Sequence, residues 1–213
     1  MPDHKSAFFD FCLRQGVLKF GEFVLKFGRK SPYFFNTGLI DSGEALGTLG
    51  GFYAQAIVDT GLKFDVLFGP AYKGIPLAVA AAIALAGQHG QNVRYAFNRK
   101  EAKDHGEGGR IVGAPLQGRI LIVDDVITAG TAINESLELI KSSGASPAGV
   151  VISLDRQEKG RGERSAIQEI EAANDIRIIS IATLSDLLNY VAGSPELQPH
   201  VGRIEQYRTE YGV

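Results

Sequence analysis

Two adjacent carboxylates and two nearby hydroxyls are the residues best suited to chemistry in this sequence. Asp124 and Asp125 end an apolar run, and Thr128 and Thr131 follow them around Gly130, directly before a helical pattern. Backbone N–H groups in such a turn and at a helix N-terminus bind anions, so the segment can hold a phosphate. The carboxylates just upstream can accept hydrogen bonds from the two hydroxyls of a ribose. The segment therefore predicts a site for a ribose 5-phosphate.

Other interpretations of this turn are weaker. A single Asp before a glycine is usually only a helix cap, but here two carboxylates and two threonines follow a strand-like run. No GxGxxG sequence opens a helix after the first candidate strand, so the dinucleotide-binding motif is absent. The tripeptide Gly28-Arg29-Lys30 lacks the upstream glycine and the spacing of a Walker A loop.

Cationic side chains are concentrated in two other segments. Lys73 lies in residues 69–74, which glycine and proline keep tight. The second group is followed by the glycine-rich residues 106–109, and its members are Arg99, Lys100, Lys103 and His105. Cations beside glycine hinges are typical of a lid that closes over an anionic substrate. The alternatives are a solvated surface lysine in the first segment and a charged hairpin tip in the second.

The apolar segments predict an α/β fold, a mainly parallel sheet flanked by helices. Candidate strands cover residues 66–68, 93–97, 120–123, 150–154 and 176–181, and helical patterns cover residues 75–85, 131–142, 164–173 and 184–191. This pattern favours right-handed crossovers and helices on both faces of the sheet. Ligands bind beyond the carboxyl ends of such strands, where the polar segments 69–74, 98–109, 124–131 and 155–161 fall.

The first 40 residues predict a smaller unit beside this core. Phe8, Phe11 and Cys12 have helical spacing, and residues 17–38 are rich in Phe and Val but broken by glycine and proline. We therefore expect an N-terminal helix with a small hood subdomain over residues 1–40 and a core over residues 41–213. The core is expected to begin with a helix that Asp41 caps together with Glu44.

The composition excludes several classes of protein. The chain has 213 residues, of which 45% are hydrophobic and 22% charged, as is typical of a globular domain. A formal net charge of −2 does not favour binding to nucleic acid or to an anionic membrane. The single cysteine, Cys12, forms no internal disulfide, and the sequence lacks a Cys/His cluster for zinc. A signal sequence and an apolar span of about 20 residues are also absent, so we expect a cytoplasmic protein.

The segment ILIVDDVITAGTA, residues 120–132, resembles the phosphoribosyl diphosphate binding signature of the type I phosphoribosyltransferases. Lys26 with residues 28–36, residues 69–74 and residues 98–106 are similar to the orotate phosphoribosyltransferases within that family, and the resemblance extends to at least Arg156. It implies the type I phosphoribosyltransferase fold. It also implies transfer of the 5-phosphoribosyl group from phosphoribosyl diphosphate to orotate, which gives orotidine 5′-phosphate and diphosphate in pyrimidine (UMP) biosynthesis.

The resemblance also implies roles for individual residues. Lys103 would be catalytic by stabilising the departing diphosphate, together with Asp124 and Asp125, which would hold the ribose. The orotate pocket would include Phe34, Phe35, Thr128 and Arg156. The residues that would bind phosphoribosyl diphosphate are Lys26, Tyr72, Lys73, Arg99, Lys100, Lys103, His105, Asp124, Asp125, Val126, Ile127, Thr128, Ala129, Gly130, Thr131 and Ala132.

The proposed base pocket can also be judged from its residue types. A guanidinium at the ligand edge of a sheet, such as that of Arg156, can bind a planar carboxylate with two hydrogen bonds, and a carboxylate distinguishes orotate from other bases. Phe34 and Phe35 offer the flat apolar surface that a base needs. Because twelve Phe occur in the chain, a purely structural role in the core is the alternative for both.

Magnesium and a second subunit complete the expected set of partners. Mg²⁺ is implied because the diphosphate is highly charged, and since this ion usually keeps its waters and binds substrate phosphates, we expect no dedicated protein cage. The resemblance implies a homodimer with shared active sites, in which part of the 98–109 loop reaches the neighbouring site. Two alternatives stay open: a salvage enzyme of the same fold for a purine or uracil, and a non-catalytic regulator that binds RNA or DNA.

Overall fold

The elements of the chain follow one another in the order that an α/β fold requires. A computed structural model describes residues 4–25, 28–103, 109–160 and 162–213, with the backbone alone at 102, 103 and 109. The helices are α1 (His4–Arg14), α2 (Gly43–Thr60), α3 (Gly74–His89), α4 (Thr131–Ser142), α5 (Ala166–Asn174), α6 (Leu184–Ala192) and α7 (Val201–Tyr211). The strands are β1 (Leu18–Val24), β2 (Lys30–Phe35), β3 (Val66–Gly69), β4 (Arg94–Lys103), β5 (Gly109–Gly113), β6 (Arg119–Val123), β7 (Ser146–Asp155) and β8 (Arg177–Thr183).

A six-stranded sheet in the order β5-β4-β3-β6-β7-β8 forms the centre of the fold. Every neighbouring pair is parallel except β4 and β5, which form an antiparallel hairpin at one edge. Because the side chains of a strand alternate between its two faces, β6 contributes to two hydrophobic layers. Leu121 and Val123 pack in the cluster that contains α2 and α3, whereas Ile120 and Ile122 pack with α4 and α5. The predicted mainly parallel sheet with helices on both faces is confirmed.

The strand order changes direction beside β3, and this change creates a crevice. The chain runs outward from β3 to β4 and β5, and then returns so that β6 lies on the other side of β3. The connections that leave β3 and β6 therefore diverge beyond the carboxyl ends of these strands, which is where open parallel sheets bind ligands. The segments 70–73 and 124–130 follow β3 and β6. Two of the predicted functional loops thus meet at one point of the fold.

The N-terminal residues form a second, two-stranded sheet from β1 and β2. Its apolar side chains join the main core, since the Phe8 ring of α1 lies 6.2 Å from the Phe35 ring and 5.3 Å from the Phe52 ring of α2, between centroids. Helix α7 packs on the same sheet, where Tyr207 meets Tyr33 edge to face. The division of the chain at residue 40 stays a prediction.

The start of α2 differs from the sequence-based expectation. The helix begins at Gly43 and its N-cap is Ser42, whose Oγ accepts a hydrogen bond from the Ala45 N–H at 3.2 Å. The prediction that Asp41 caps this helix is therefore wrong, because the serine one residue later has the extended backbone that an N-cap needs. By contrast, the helix predicted at 131–142 is α4 with the same bounds, since Gly130 before it has a left-handed backbone with φ of +72°.

The segment that carries Arg99 and Lys100 is a strand and not part of a loop. Residues 98–103 continue β4 and pair with β5 from Asn98, opposite Ile111, to position 103, opposite Gly109, with an irregularity between them. The prediction of a loop that begins at residue 98 is therefore wrong. Cation-rich composition suggested a solvated loop, whereas hairpin pairing with β5 extends the strand.

Helices α2 and α3 are in close contact at Gly50, which gives a stability prediction. A Cβ at Gly50 would lie 2.5 Å from the carbonyl oxygen of Ala80, whereas a Cβ at Gly47 of the same helix would have nothing within 4 Å. We expect Gly50→Ala to lower the free energy of unfolding by about 1–3 kcal/mol through overpacking. The matched control Gly47→Ala should raise it by about 0.5–1 kcal/mol. Urea unfolding followed by circular dichroism measures both, and similar effects at the two positions would contradict this packing.

Candidate active site

The turn after β6 places two carboxylates side by side at the edge of the sheet. Asp124 and Asp125 are 9% and 6% exposed, and the backbone of the turn continues the ladder with β7 through hydrogen bonds to Val151 and Ser153. The side chains also fold back on the turn: the Asp125 N–H donates to Asp124 Oδ1 at 2.9 Å, and the Val126 N–H donates to Asp125 Oδ1 at 2.8 Å. Both carboxylates are therefore fixed before any ligand binds.

Tyr53 of α2 supports this turn from the core side of the sheet. Its hydroxyl donates a hydrogen bond to the Asp124 carbonyl oxygen at 2.7 Å and lies 2.5 Å from Ser153 Oγ of β7. Tyr53 and Ser153 are fully buried. Because an unpaired buried hydroxyl is costly, this three-way contact fixes the position of the turn relative to α2 and β7. The contact joins residues that are 71 positions apart, so no local pattern in the sequence indicates it.

The pKa of Asp124 is raised to about 7. Burial is the largest cause, and the neighbouring Asp125 carboxylate adds to it, while the Asp125 N–H and the charge of Lys73 act in the opposite direction. A carboxyl group that ionises near neutral pH is a typical property of functional sites, because the fold holds it where its charged form lacks water.

Lys73 connects the turn after β6 to the loop after β3 and to the N-terminal unit. Its Nζ donates to Asp125 Oδ2 at 2.8 Å and to Asn36 Oδ1 at 2.9 Å. Asn36 follows β2, and its Oδ1 also accepts from the Gly38 N–H. The lysine is half exposed, so it pairs with the carboxylate and still faces solvent. The structure thus brings together Lys73 and Asp125, which sequence analysis placed at the same edge, and adds Asn36, which it missed.

The loop that carries Lys73 is tightly packed. A Cβ at Gly69 would lie 2.2 Å from the Gly74 carbonyl oxygen, so residue 69 must be glycine for the loop to close. Asn98 of β4 accepts a hydrogen bond from the Ala71 N–H at 2.8 Å. Tyr72 points outward and is 67% exposed, with Lys100 Nζ 4.9 Å from its ring centroid. Tyr72 and Lys100 are therefore neighbours on the outer side of the crevice.

The residues after Asp125 form an exposed turn that leads into α4. Val126 and Ile127 are half-buried, whereas Thr128, Ala129, Thr131 and Ala132 are exposed around the buried Gly130. In the part of the chain that the structure describes, no side chain caps the N-terminus of α4. The first N–H groups of a helix have no partner within the helix, so the donors at the start of α4 can bind an anion.

Arg156 lies where β7 meets the N-terminal unit. The residue is 7% exposed, its guanidinium carbon lies 4.3 Å from the centroid of the Tyr33 ring, and Nη2 donates to Ser31 Oγ at 3.2 Å. Both partners belong to β2. The loop after β7 and the hood strand therefore come together at the position predicted for the base.

Phe34 and Phe35 point to opposite faces of β2, so the two rings cannot line the same pocket. Phe35 is 6% exposed and belongs to the main hydrophobic cluster. Phe34 is half-buried and packs on Phe23 at 5.4 Å between ring centroids. Phe34 is thus the better placed of the two to offer its ring to a ligand, whereas Phe35 can contribute only backbone groups.

Several predicted residues lie outside what the structure describes. Lys26 and His105 fall in the omitted ranges, and Lys103 is described by its backbone alone. Arg99 is half-buried in β4. The roles assigned to these four residues stay predictions, as do those of the other site residues. Among the described residues, no group of three or more His, Cys, Asp or Glu is arranged to hold a metal ion. None of the described helices is long and apolar enough to span a bilayer.

The fold and the site together define a class of protein. An open parallel sheet whose crevice contains an Asp-Asp turn and a lysine-bearing loop is the architecture of a phosphoribosyltransferase domain. The family model described as "Phosphoribosyl transferase domain" matches residues 37–181, which include both of these segments.

Comparison with similar proteins identifies the family within this class. Orotate phosphoribosyltransferases of Cronobacter sakazakii and of Thioalkalivibrio sulfidiphilus are each 60% identical to this chain over 213 residues, which is 100% of both sequences in each comparison. The crystal structure of orotate phosphoribosyltransferase from Francisella tularensis matches with a TM-score of 0.89 at 43% identity, over 97% of this chain and 100% of that chain. The chain belongs to the orotate phosphoribosyltransferase family, and it is therefore an enzyme of the pentosyltransferase class.

The raised pKa of Asp124 predicts a pH dependence of stability. Between about pH 4, where an unfolded aspartate ionises, and about pH 7, the folded state retains a proton that the unfolded state has lost. The contribution of Asp124 to the free energy of unfolding is therefore most favourable below this pH range. It falls as the pH rises through the range, by up to about 1.4 kcal/mol per pH unit. We expect Asp124→Asn, which cannot ionise, to gain stability relative to the wild type between pH 5 and pH 8 in urea unfolding.

Asp186 supplies the control for this measurement. Burial opposes ionisation of Asp186, but hydrogen bonds from Lys5 and Thr183 outweigh burial and lower the pKa below its usual value. The difference between Asp186→Asn and the wild type should therefore stay constant from pH 5 to pH 8. A constant difference for Asp124→Asn as well would show that Asp124 is already ionised at pH 5.

Proposed function

We propose that the protein transfers the 5-phosphoribosyl group of phosphoribosyl diphosphate to orotate, giving orotidine 5′-phosphate and diphosphate as a step of pyrimidine biosynthesis. The observation that carries the proposal is the 2.8 Å contact of Lys73 with Asp125 across the crevice, in a chain of the orotate phosphoribosyltransferase family. This contact puts a cation for the diphosphate and acceptors for the ribose within the length of one ligand.

Each part of the donor has a matching part of the crevice. The exposed turn before α4, with Thr128 and Thr131, suits the 5′-phosphate because its N–H groups and the helix dipole favour an anion. The carboxylates of Asp124 and Asp125 suit the two ribose hydroxyls, which can donate to them. Lys73 suits the diphosphate at the other side of the ribose. Tyr72 and Lys100 beside it extend the same side of the crevice.

The acceptor base is assigned to the space between the hood and the loop after β7. Arg156 would bind the carboxylate of orotate, Phe34 would contact the ring, and Thr128 would touch both the phosphate turn and the base. The position of Arg156 against β2 supports this assignment, because a guanidinium held on an aromatic ring keeps its N–H donors in a fixed plane.

The reaction breaks the bond between the anomeric carbon and the diphosphate oxygen and forms a bond from that carbon to a ring nitrogen of orotate. The proton of that nitrogen is lost in the step and is taken up by the released diphosphate. Bond breaking ahead of bond making places positive charge on the ribose, next to the carboxylates of Asp124 and Asp125. The residues therefore need to align two substrates and neutralise the leaving group, and no protein nucleophile is required. Lys73 and Lys103 would supply the positive charge for the diphosphate.

We propose Mg²⁺ as the cofactor, bound to the diphosphate of the substrate. Carboxylate oxygens can accept hydrogen bonds from the waters that Mg²⁺ keeps, so Asp124 and Asp125 fit a role in holding the ion through its waters. When bound, Mg²⁺ would neutralise charge on the diphosphate. A chelator should then abolish turnover, and added Mg²⁺ should restore it.

We also propose a cytoplasmic location, which cell fractionation tests.

One assay tests the function and its alternatives. The purified protein is mixed with phosphoribosyl diphosphate, Mg²⁺ and orotate, while loss of orotate absorbance and release of diphosphate are followed. Adenine, guanine and uracil serve as competing bases. Turnover with orotate alone supports the proposal, and turnover with another base would identify the salvage alternative. Absence of diphosphate release with every base would favour the non-catalytic regulator.

The proposed role of Lys103 predicts a loss of turnover when the residue is replaced. If its ammonium group stabilises the departing diphosphate, Lys103→Ala should lower kcat about 10²–10³-fold, by analogy with the loss of one oxyanion donor. The control is Lys63→Ala, because Lys63 is exposed at the opposite, amino end of β3. Steady-state kinetics with both substrates measures the effect. Near-normal turnover of Lys103→Ala would remove the proposed role.

We also propose that the enzyme is a homodimer with shared active sites. Helix α3 supports this proposal because it is apolar on every side, which is typical of a fully covered helix. Yet Pro76, Ile83 and Ala86 are exposed and Val79 is partly so, at positions that share one face of the helix. Ile83 is 68% exposed, and Tyr95 on the adjacent strand β4 is 41% exposed. A second subunit would cover this surface.

The dimer proposal predicts a mass and a complementation result. The wild type should have the mass of two chains in light scattering, and Ile83→Lys should shift it towards one chain and lower activity. A mixture of Lys103→Ala subunits with Asp124→Asn/Asp125→Asn subunits should recover activity, since one site of each mixed dimer would be intact. Mixtures that stay inactive after subunit exchange would argue against sharing of residues between sites.

A further inference from the structure

The guanidinium of Arg156 is held from one side only. Nε donates to Glu158 Oε1 at 2.6 Å, and Nη2 donates to Ser31 Oγ at 3.2 Å. A guanidinium has five N–H donors in one plane. No residue in the described part of the chain accepts a hydrogen bond from Nη1. The end of the guanidinium opposite Nε therefore keeps N–H donors that no described residue has taken up, and the contact on the Nε side fixes where they point.

Glu158 is the centre of the contacts that hold the Nε side. Oε1 accepts from both Arg156 Nε and the Tyr207 hydroxyl, at 2.6 and 2.9 Å, and Oε2 lies 3.8 Å from Nη1 of Arg29. Its side chain is only 14% exposed. Three elements that are distant in the sequence thus meet on one carboxylate: the loop after β7, the hood residue Arg29 and helix α7.

The backbone around Glu158 is constrained from three directions. Gln157 has a left-handed backbone with φ of +50°, which is unfavourable for a residue other than glycine. Its N–H donates to Asp155 Oδ1, its side-chain Oε1 accepts from Ser185 at the start of α6, and its carbonyl accepts from the Val213 N–H. Such strain persists only where surrounding contacts hold it, and it is typical of functional sites. The loop presents Arg156 and Glu158 on either side of this strained residue.

We propose that Glu158 is a positioning residue for base recognition, which orients the free end of the Arg156 guanidinium towards the carboxylate of orotate, with the Tyr207 hydroxyl as its support. The inference rests on the proposed function. Without Glu158, the guanidinium loses its only carboxylate partner among the described residues and keeps neutral neighbours, the Ser31 and Tyr207 hydroxyls and the face of Tyr33, so it can turn about its last side-chain bonds. Helix α7 then contributes to substrate selection through Tyr207, although it lies outside residues 37–181, the part matched by the family model.

Product binding separates this role from a general structural one. Orotidine 5′-phosphate carries the carboxylate and uridine 5′-phosphate lacks it, so the ratio of their dissociation constants reports recognition of that group. We expect Glu158→Gln to weaken binding of orotidine 5′-phosphate about tenfold in titration calorimetry and to leave uridine 5′-phosphate unchanged. The KM for orotate should rise by a similar factor while the KM for phosphoribosyl diphosphate stays constant. Tyr207→Phe, which removes only a hydroxyl, should act in the same direction by a few-fold.

Two further variants complete the design. Glu163→Gln is the matched control, because Glu163 pairs with Lys159 in the same loop but is 92% exposed. In the double variant Arg156→Gln/Glu158→Gln, the second substitution should add nothing to the loss of selectivity that Arg156→Gln causes, since residues that act through one another are not additive. The double variant also removes both charges together, which avoids a buried unpaired ion.

The outcomes distinguish this inference from the function on which it rests. No orotate-dependent diphosphate release by the wild type would overturn the proposed function. If the wild type is active and Arg156→Gln loses selectivity but Glu158→Gln and Tyr207→Phe do not, the function stands and the positioning role is wrong. Equal weakening of both nucleotides by Glu158→Gln, or additive losses in the double variant, would also overturn it. If Glu158→Gln does not fold, Tyr207→Phe decides alone.

Discussion

The burial of two adjacent carboxylates at the point where the strand order reverses is the constraint on which this structure depends. Charged groups are costly to bury unless they are paired or hydrogen-bonded. The charge of Asp125 is compensated by Lys73. Asp124 accepts a hydrogen bond from a neighbouring N–H, and its pKa is raised to about 7, so it is protonated below that pH. Tyr53 and Ser153 hold the backbone below them. The tight loop after β3 has to deliver Lys73 to this position, which explains why Gly69 admits no side chain.

The N-terminal unit contacts the active-site edge of the core through two polar contacts as well as through apolar packing. Asn36 contacts Lys73 on the donor side, and Ser31 contacts Arg156 on the base side. Both residues belong to β2 or follow it directly. The strand β2 and the residue that follows it therefore contact Lys73, proposed to bind the donor, and Arg156, proposed to bind the base. Its placement on the core, through Phe8, Phe35 and Phe52, sets the geometry of both contacts.

Local signals in the sequence predicted the parts of the site that lie in one segment. The Asp-Asp turn, Gly130 and the start of α4 are consecutive, so the end of the strand, the turn and the start of the helix follow from one local pattern. The strand nature of residues 98–103 was missed, because pairing with β5 outweighs a cation-rich composition. Tyr53 and Glu158 were missed for another reason. Their partners, Asp124 and Tyr207, are 71 and 49 residues away, and no pattern in either segment indicates the contact.

The pairing of Lys73 has a consequence for how the site responds to ionic strength. A free lysine attracts an anion through its full charge, and added salt screens that attraction strongly. Here the ammonium group already contacts the Asp125 carboxylate, so an incoming phosphate meets a lysine whose charge is partly neutralised. The net change in local charge is smaller than a count of cations implies. Affinity for an anionic ligand at this loop should therefore depend on salt less steeply than the number of lysines and arginines around the crevice suggests.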